Sequence, residues 1–569
     1  MTLVEEKGTE KRLFVLFVIV LVCTLVLVGR LWYLQLSRGE HYARLADGNR
    51  MRQLRLLPPR GEIVDRHGEV LVRSKPAFTV SVVPGGLRQE DDSSLHILCD
   101  VLDLSMEELE EALEKGKGFP YESVRIKQDV QPETVIAIEE NRINLPGIFI
   151  EEEPVREYLQ GELASHVVGY MGIISATELQ RYGVTYRGSD LVGKSGIEQT
   201  YEELLRGEIG ALTVEVNALN RPIRTVNVVE PIPGHNITLT IDAHLQKVAE
   251  EAFYEHILTL KDNPGTQTGA VLVLNPQTGE ILVMASMPGF EPENLIDQSQ
   301  RNSYYSALSQ DERRPFFNRV TQALFGPGST FKPITALAIL EEGVLGANDR
   351  FNATGTSQYG VKDWVINSGL APFGMIDMHG ALGMSSNHYF ADNGAKVGID
   401  RLSKWMTALG FGAPTGLELF PGEASGLVPS REWKREAFSN RATSDQNWYP
   451  SDTEQISIGQ GFHQMTLIQL AQAYAAIANK GTIFAPQIVK EIQAPDGTVI
   501  FRARPEVSHK VEASQATWDA LSQVMMAPIV HARGTARGVM AGFPYSMAGK
   551  TGTWEVPGRV SNGLYVGYA

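Results

Sequence analysis

Cysteine is nearly absent from this 569-residue chain: only Cys23 and Cys99 occur. Cys23 lies inside an apolar run, so a disulfide framework and a four-thiolate metal site are both excluded. Basic charge is in deficit, with 51 Lys and Arg against 67 Asp and Glu and a formal net charge of −16. Phosphate backbones select Lys- and Arg-rich faces, so nucleic acid is not expected as a partner. Compositional bias is lacking too. Apolar residues make up 43% and charged residues 21%, which excludes disordered, collagen-like and polytopic membrane chains. Single cores stop growing at a few hundred residues, so this length implies at least two domains, held by packing.

One long hydrophobic run is present, and no second run of comparable length follows it. Leu13 to Gly29 carries no charge. With Leu31, Trp32, Tyr33 and Leu34 beyond a snorkelling Arg30, the run reaches the roughly 20 residues a bilayer core requires. A cleavable signal would end in small residues, whereas Leu31-Trp32-Tyr33-Leu34-Gln35 is bulky, so residues 1–36 read as a tail and an uncleaved transmembrane anchor. Lys7, Lys11 and Arg12 before the run nearly balance Arg30, Arg38 and Arg44 after it, and charge alone leaves the orientation open.

Residues 37–235 read as a mixed, extended, non-catalytic module. Asp65-Arg66-His67-Gly68 sits between two apolar strands as a hairpin turn, and apolar residues recur at helical spacing over 105–116 and 196–205. Pro231-Ile232-Pro233-Gly234 marks a boundary. Residues 236–569 then begin with an extended run at 237–241, a helix from about His244 and a hairpin of Ala270–Leu274 with Glu280–Ser286. Helical patterns follow near 329–342, 378–397, 399–409, 465–480 and 514–526. An antiparallel sheet beside a helix cluster makes this domain α+β.

Two glycine-rich stretches imitate phosphate-binding loops. Gly188 to Ser195 matches the P-loop pattern, yet the lead-in, Arg181 to Arg187, has too few apolar residues for the buried strand that motif needs. The reading is a glycine turn opening the helix at Gly196. Gly459-Gln460-Gly461 lacks a third glycine and reads as a turn.

Chemistry is carried by three short motifs. Ser329-Thr330-Phe331-Lys332 follows Gly326-Pro327-Gly328 and precedes the apolar stretch Ile334–Leu340, which places Ser329 at a helix start with Lys332 one turn on, on the same face. A desolvated lysine beside another cation can be neutral enough to take a serine proton. Taken alone, such a pair is more often a capping serine and a solvated lysine. Ser385-Ser386-Asn387 and Lys550-Thr551-Gly552-Thr553 follow in the same domain, and coincidence of all three in this order is improbable.

The trio resembles the motifs of the penicillin-recognising acyl-serine transferases. The similarity extends along the chain through Trp32-Tyr33-Leu34-Gln35, Arg60-Gly61-Glu62-Ile63-Val64-Asp65-Arg66, Gly193 to Glu198, Val214-Glu215-Val216-Asn217-Ala218 and Ser457-Ile458-Gly459-Gln460-Gly461. Together these resemble the class B penicillin-binding proteins, and within them the elongation branch, penicillin-binding protein 2. The resemblance implies a pedestal over 37–235 without nucleotide, a transpeptidase domain over 236–569, and a large domain outside the cytoplasmic membrane with the N-terminus inside. It implies peptidoglycan stem peptides and β-lactam antibiotics as ligands, a membrane-embedded RodA-type glycan polymerase and elongation-complex proteins as partners, and no cofactor.

For the site it implies Ser329 as nucleophile, Lys332 as its base and Ser385 as the proton carrier to the leaving amine. Asn387, Lys550, Thr551, Gly552 and Thr553 would hold substrate. Family members normally continue into another strand and a closing helix, whereas this sequence stops at Ala569, so either a fragment or a sheet short of an edge is expected. Some relatives carry a metal near the second motif. Asp363, Asp377 and His379 lie in that region without a cysteine, so a satisfied polar loop is expected there. A serine β-lactamase is the nearest rival, disfavoured by the pedestal and anchor. A catalytically weak penicillin-binding scaffold or sensor is the rival from another class.

Overall fold

The computed structural model describes residues 3–40, 51–83, 92–115, 124–145, 147–216, 222–260, 267–297, 299–540, 542–556, 558 and 560–569. Arg44, Asn217 and Ala218, named above, lie outside the described residues. The chain opens with the helix Leu3–Trp32, extended by a π-helical turn Tyr33–Ser37. Within it Arg12–Ser37, with mean hydropathy 2.8, is long and apolar enough to cross a membrane. Thr24 is no obstacle, because its hydroxyl donates to Val20 O at 2.8 Å.

The chain forms two compact units that alternate in sequence: residues 1–59, 75–155 and 207–233 make the first, and 60–74, 156–206 and 234–569 the second. In the first unit Met51–Leu56, Gly210–Val216 and Pro222–Val229 form a three-stranded antiparallel ladder. A second layer packs Val80, Val82 and Ile126 from paired strands against Leu98, Leu102, Leu109 and Ile138 from helices. The helix expected over 105–116 spans Met106–Lys115 and buries Leu109 and Ala112. Ser105 and Glu108 cap its start reciprocally.

In the second unit Ile63 lies at the centre of a sheet, pairing antiparallel with Val72 and parallel with Ile237. Ile237 also pairs with Ile492. Around this sheet Val167, Ile197, Leu239 and Met284 close a core. Next to it lies a buried ion network: Arg60 pairs with Glu198 at 2.6 Å and Glu202 at 2.7 Å, and Arg156 with Glu198 at 2.7 Å. The P-loop-like run is committed elsewhere. Leu191–Gly193 form a strand paired with Met171–Ile173, Gly193 N–H donates to Glu202, and Lys194 ion-pairs with Glu178.

The larger core of this unit centres on the helix Lys332–Glu341, whose residues from Lys332 to Ile339 are all buried. The helices Asn387–Val397, Ile399–Ala408, Leu467–Ala478 and Gln515–Val524 pack about it. The expected hairpin is present as Gly269–Leu274 with Ile281–Met287, and Ala548–Trp554 pairs with Asn562–Tyr568. Among the described residues each of these is a separate two-stranded ladder, beside helices, in a mixed α and β architecture.

Three helical spans depart from expectation, the first being 196–205, which folds as Gly196–Thr200 and Glu202–Arg206. Helical pattern runs unbroken over 378–397, yet the chain folds as Met378–Gly383 and Asn387–Val397. Ser385 turns left-handed at φ 59° and Ser386 caps the second helix, its hydroxyl accepting from Tyr389 N–H at 3.2 Å. Short polar side chains that bond nearby backbone outcompete helix continuation. Likewise 328–331 is a 3-10 turn, and the α-helix begins at Lys332.

Candidate active site

Ser329 sits half-buried in the 3-10 turn, where residues three apart eclipse, so it shares a face with Lys332. The turn is forced by close backbone approach. Gly328 adopts φ 54° and its N–H donates to Gly459 O at 2.9 Å. A Cβ on Gly328 would lie 2.3 Å from Thr553 O, and one on Gly459 1.7 Å from Gly328 O. Three backbone segments therefore meet where no side chain fits. Among the described residues the Ser329 hydroxyl forms no hydrogen bond.

Lys332 is fully buried. Its Nζ donates to Ser385 O at 2.8 Å, Ser385 Oγ at 3.1 Å and Asn387 Oδ1 at 2.8 Å. Burial, then the neighbouring Lys550, hold its pKa well below the ordinary lysine value, against a weaker opposing pull from Asp363. Lys550 is also fully buried, and burial lowers it to about 7. Its Nζ donates to Thr551 O at 2.9 Å. The site thus holds two ammonium groups close together in a dry setting that favours losing a proton.

The second motif is held from behind. Asn387 Nδ2 donates to Lys362 O at 2.9 Å. Asp363, fully buried, accepts from Ser386 Oγ at 3.0 Å and His388 N–H at 3.0 Å. Asp377 caps the preceding helix, accepting from Gly380 N–H at 2.9 Å. The carboxylates weighed as metal ligands are therefore helix caps, and among the described residues no cluster of three or more His, Cys, Asp or Glu is placed to hold a metal.

The third motif lies on the strand Ala548–Trp554, with Lys550 opposite Val566 and Gly552 opposite Leu564. Gly552 lets this strand lie against the serine turn, since a Cβ there would be 2.8 Å from Thr330 Cγ2. Thr551 Oγ1 is 3.0 Å from Thr535 Oγ1. Thr553 is exposed, and its carbonyl accepts from Gln460 Nε2 at 3.0 Å. Sequence reasoning passed over Thr535 and the packing role of Gly459-Gln460. For Thr535 the only signal is a small polar residue beside a glycine, which is too common to single out, while Gly459-Gln460 reads as a turn with no sign of its packing partners.

Comparison with known proteins places this geometry. Residues 269–569 match the family described as the penicillin-binding protein transpeptidase domain, and residues 55–239 the penicillin-binding protein dimerisation domain. The peptidoglycan D,D-transpeptidase MrdA of Acinetobacter baumannii is 31% identical, over 99% of this chain and 83% of its own length. The protein of the same name from Escherichia coli is 30% identical, over 98% and 86%. The penicillin-binding protein PBP2 in complex with MreC from Helicobacter pylori superposes with a TM-score of 0.76 at 28% identity, covering 91% of this chain and 92% of that one. A chain from a peptidoglycan synthase complex that coordinates polymerization and crosslinking does so with 0.70 at 30% identity, covering 96% and 89%.

Proposed function

The chain belongs to the class B penicillin-binding proteins of the penicillin-binding protein 2 type, peptidoglycan D,D-transpeptidases of cell-wall elongation, and on that premise we propose how its residues divide the reaction. Ser329 Oγ attacks the carbonyl between the two terminal D-alanines of a stem peptide, and neutral Lys332 takes its proton. Ser385, bonded to Lys332, passes a proton to the departing amine, and D-alanine leaves as the ester forms. An amine from a neighbouring strand then attacks that ester, gives up its proton along the same route, and Ser329 is restored.

The backbone N–H groups of Ser329 and Thr553 face the developing oxyanion, where one donor is typically worth about 2.7–4 kcal/mol. Asn387 orients Lys332 and the donor peptide. Lys550, Thr551 and Thr553 hold the donor's terminal carboxylate, with Gly552 keeping the strand close. The observation that carries this reading is the buried Lys332 with its pKa lowered, in hydrogen-bond contact with Ser385 and Asn387. Intact-mass analysis after penicillin treatment tests it: one adduct is expected on the peptide containing Ser329 and none on Ser329→Ala. Labelling elsewhere overturns the assignment.

In this reading residues 1–36 anchor the protein, 37–235 dock partners and 236–569 catalyse, with the N-terminus inside and the bulk outside the cytoplasmic membrane. The docking partners are a RodA-type polymerase and elongation-complex proteins, in keeping with relatives solved with MreC and in a synthase complex. Residues 60–74 and 156–206 belong to the second unit, so the test replaces only 75–155 with a short linker. Co-purification with a tagged polymerase should be lost, and its retention would locate the contact elsewhere.

A further inference from the structure

One wall of the site connects the second motif to the third. Thr535 N–H donates to Gly383 O at 3.0 Å, at the end of the helix that leads into Ser385. The Thr535 hydroxyl meets that of Thr551. Two residues before Thr535 stands Arg533, exposed, with its guanidinium carbon 5.3 Å from the centroid of the Phe373 ring. Phe373 in turn lies edge-on to Trp364 at 6.1 Å, and the Trp364 indole N–H donates to Met384 O at 3.0 Å, next to Ser385. The guanidinium is thus restrained beside the cleft by a ring face, a contact that consumes none of its N–H donors.

Among the described residues no carboxylate pairs with Arg533, although the chain carries a net charge of −16. Three other exposed arginines of the same unit are paired, Arg431 with Asp400, Arg502 with Glu491 and Arg401 with Glu342, while Arg441 lies over the Phe438 ring as Arg533 lies over Phe373. Arg533 differs from Arg441 in its place two residues from Thr535, which meets the third motif. An ordered, unclaimed guanidinium is the side chain best suited to a carboxylate, since its planar fork matches both oxygens.

We propose that Arg533 is a specificity-determining residue that takes a second carboxylate of the donor, one on its peptide portion and separate from the terminal carboxylate. This rests on the transpeptidase reading above and deepens it. Donors and inhibitors bearing such a group gain an ion pair at the rim, and those without it do not.

The test compares benzylpenicillin with its α-carboxy derivative, which share the ring carboxylate and differ by one side-chain carboxylate. Acylation rate constants are measured on the full chain in detergent. A charge-assisted hydrogen bond of ordinary strength predicts that Arg533→Gln slows acylation by the α-carboxy compound about tenfold and leaves benzylpenicillin within about twofold. Arg533→Lys, which keeps the charge without the fork, should fall between. Equal slowing with both compounds would overturn the proposal and assign Arg533 to the ring carboxylate or to the loop. No change with either would overturn it as well. If the parent chain formed no adduct with either compound, the serine chemistry itself would fail and the inference with it, a result distinct from selective loss.

Discussion

Two clusters of buried cations in the same unit are built on opposite principles. Arg60 and Arg156 lie buried against Glu198 and Glu202, so two positive charges meet two negative ones. Burial opposes ionisation there, yet Glu198 and Glu202 hold Arg60 above its ordinary value, and Arg156 and Arg60 hold Glu198 below the usual carboxylate range. Lys332 and Lys550 are buried just as deeply, but the groups Lys332 touches are a carbonyl, a hydroxyl and an amide. Without a paired acid, desolvation and mutual repulsion win and the proton is given up. A balanced cluster locks its charges and holds the fold; an unbalanced one titrates, and only the second is useful to a reaction that moves protons.

The sharpest way to break this comparison is Lys332→Ala. With no base left, acylation of Ser329 should fall by roughly 10²- to 10⁴-fold at every pH, measured as the rate of labelled-penicillin incorporation. A variant that regained the parent rate at high pH would show that hydroxide or another group serves as base. Next is Glu198→Gln, which leaves Arg156 without a carboxylate and Arg60 with Glu202 alone. Removing one partner of a buried pair costs about 3–5 kcal/mol, so denaturant unfolding should move to much lower concentration while the folded fraction still acylates at the parent rate. An unchanged midpoint would refute a structural role for the network.

Lys550→Met sharpens the difference with the smallest expected effect. Removing the second ammonium relieves repulsion on Lys332, raises its pKa and moves the pH profile of acylation upward. The same variant tests linkage. Lys550 titrates at about 7 when folded against an ordinary 10.5, so between those values the unfolded chain binds more protons and stability rises with pH. Lys550→Met should flatten that rise. An unchanged acylation pKa would mean that the two lysines are uncoupled and that burial alone tunes Lys332.

Much of the fold was readable because it is local. The apolar run of the anchor, the hairpin about Asn275–Gly279 and the helix Met106–Lys115 follow from periodicity and turn chemistry. Family and activity were also readable, through short motifs in a fixed order. Partner choice over long range was not: nothing in Ile63 or Ile237 announces that they pair in parallel, because β-strand patterning specifies a face and leaves the neighbour open. Helical periodicity also ran straight through residues 384–386, since it counts apolar positions and is blind to the hydroxyls and carboxylate that break the helix there. Thr535 was invisible, and Gly459 legible only as a turn and part of a stretch of resemblance, for the same kind of reason, as their importance lies in what they touch.

By itself the sequence determined which groups are available: a serine and a lysine three residues apart, a serine and an asparagine in a cap-rich turn, and a lysine on a glycine-bearing strand. Only the tertiary structure decided the state of those groups. Whether Lys332 is an ion or a base depends on the water removed around it and on Lys550, brought beside it from far along the chain. Solvation and Coulomb energy are functions of distance in space, and residue spacing constrains that distance only within a turn or two of helix or strand.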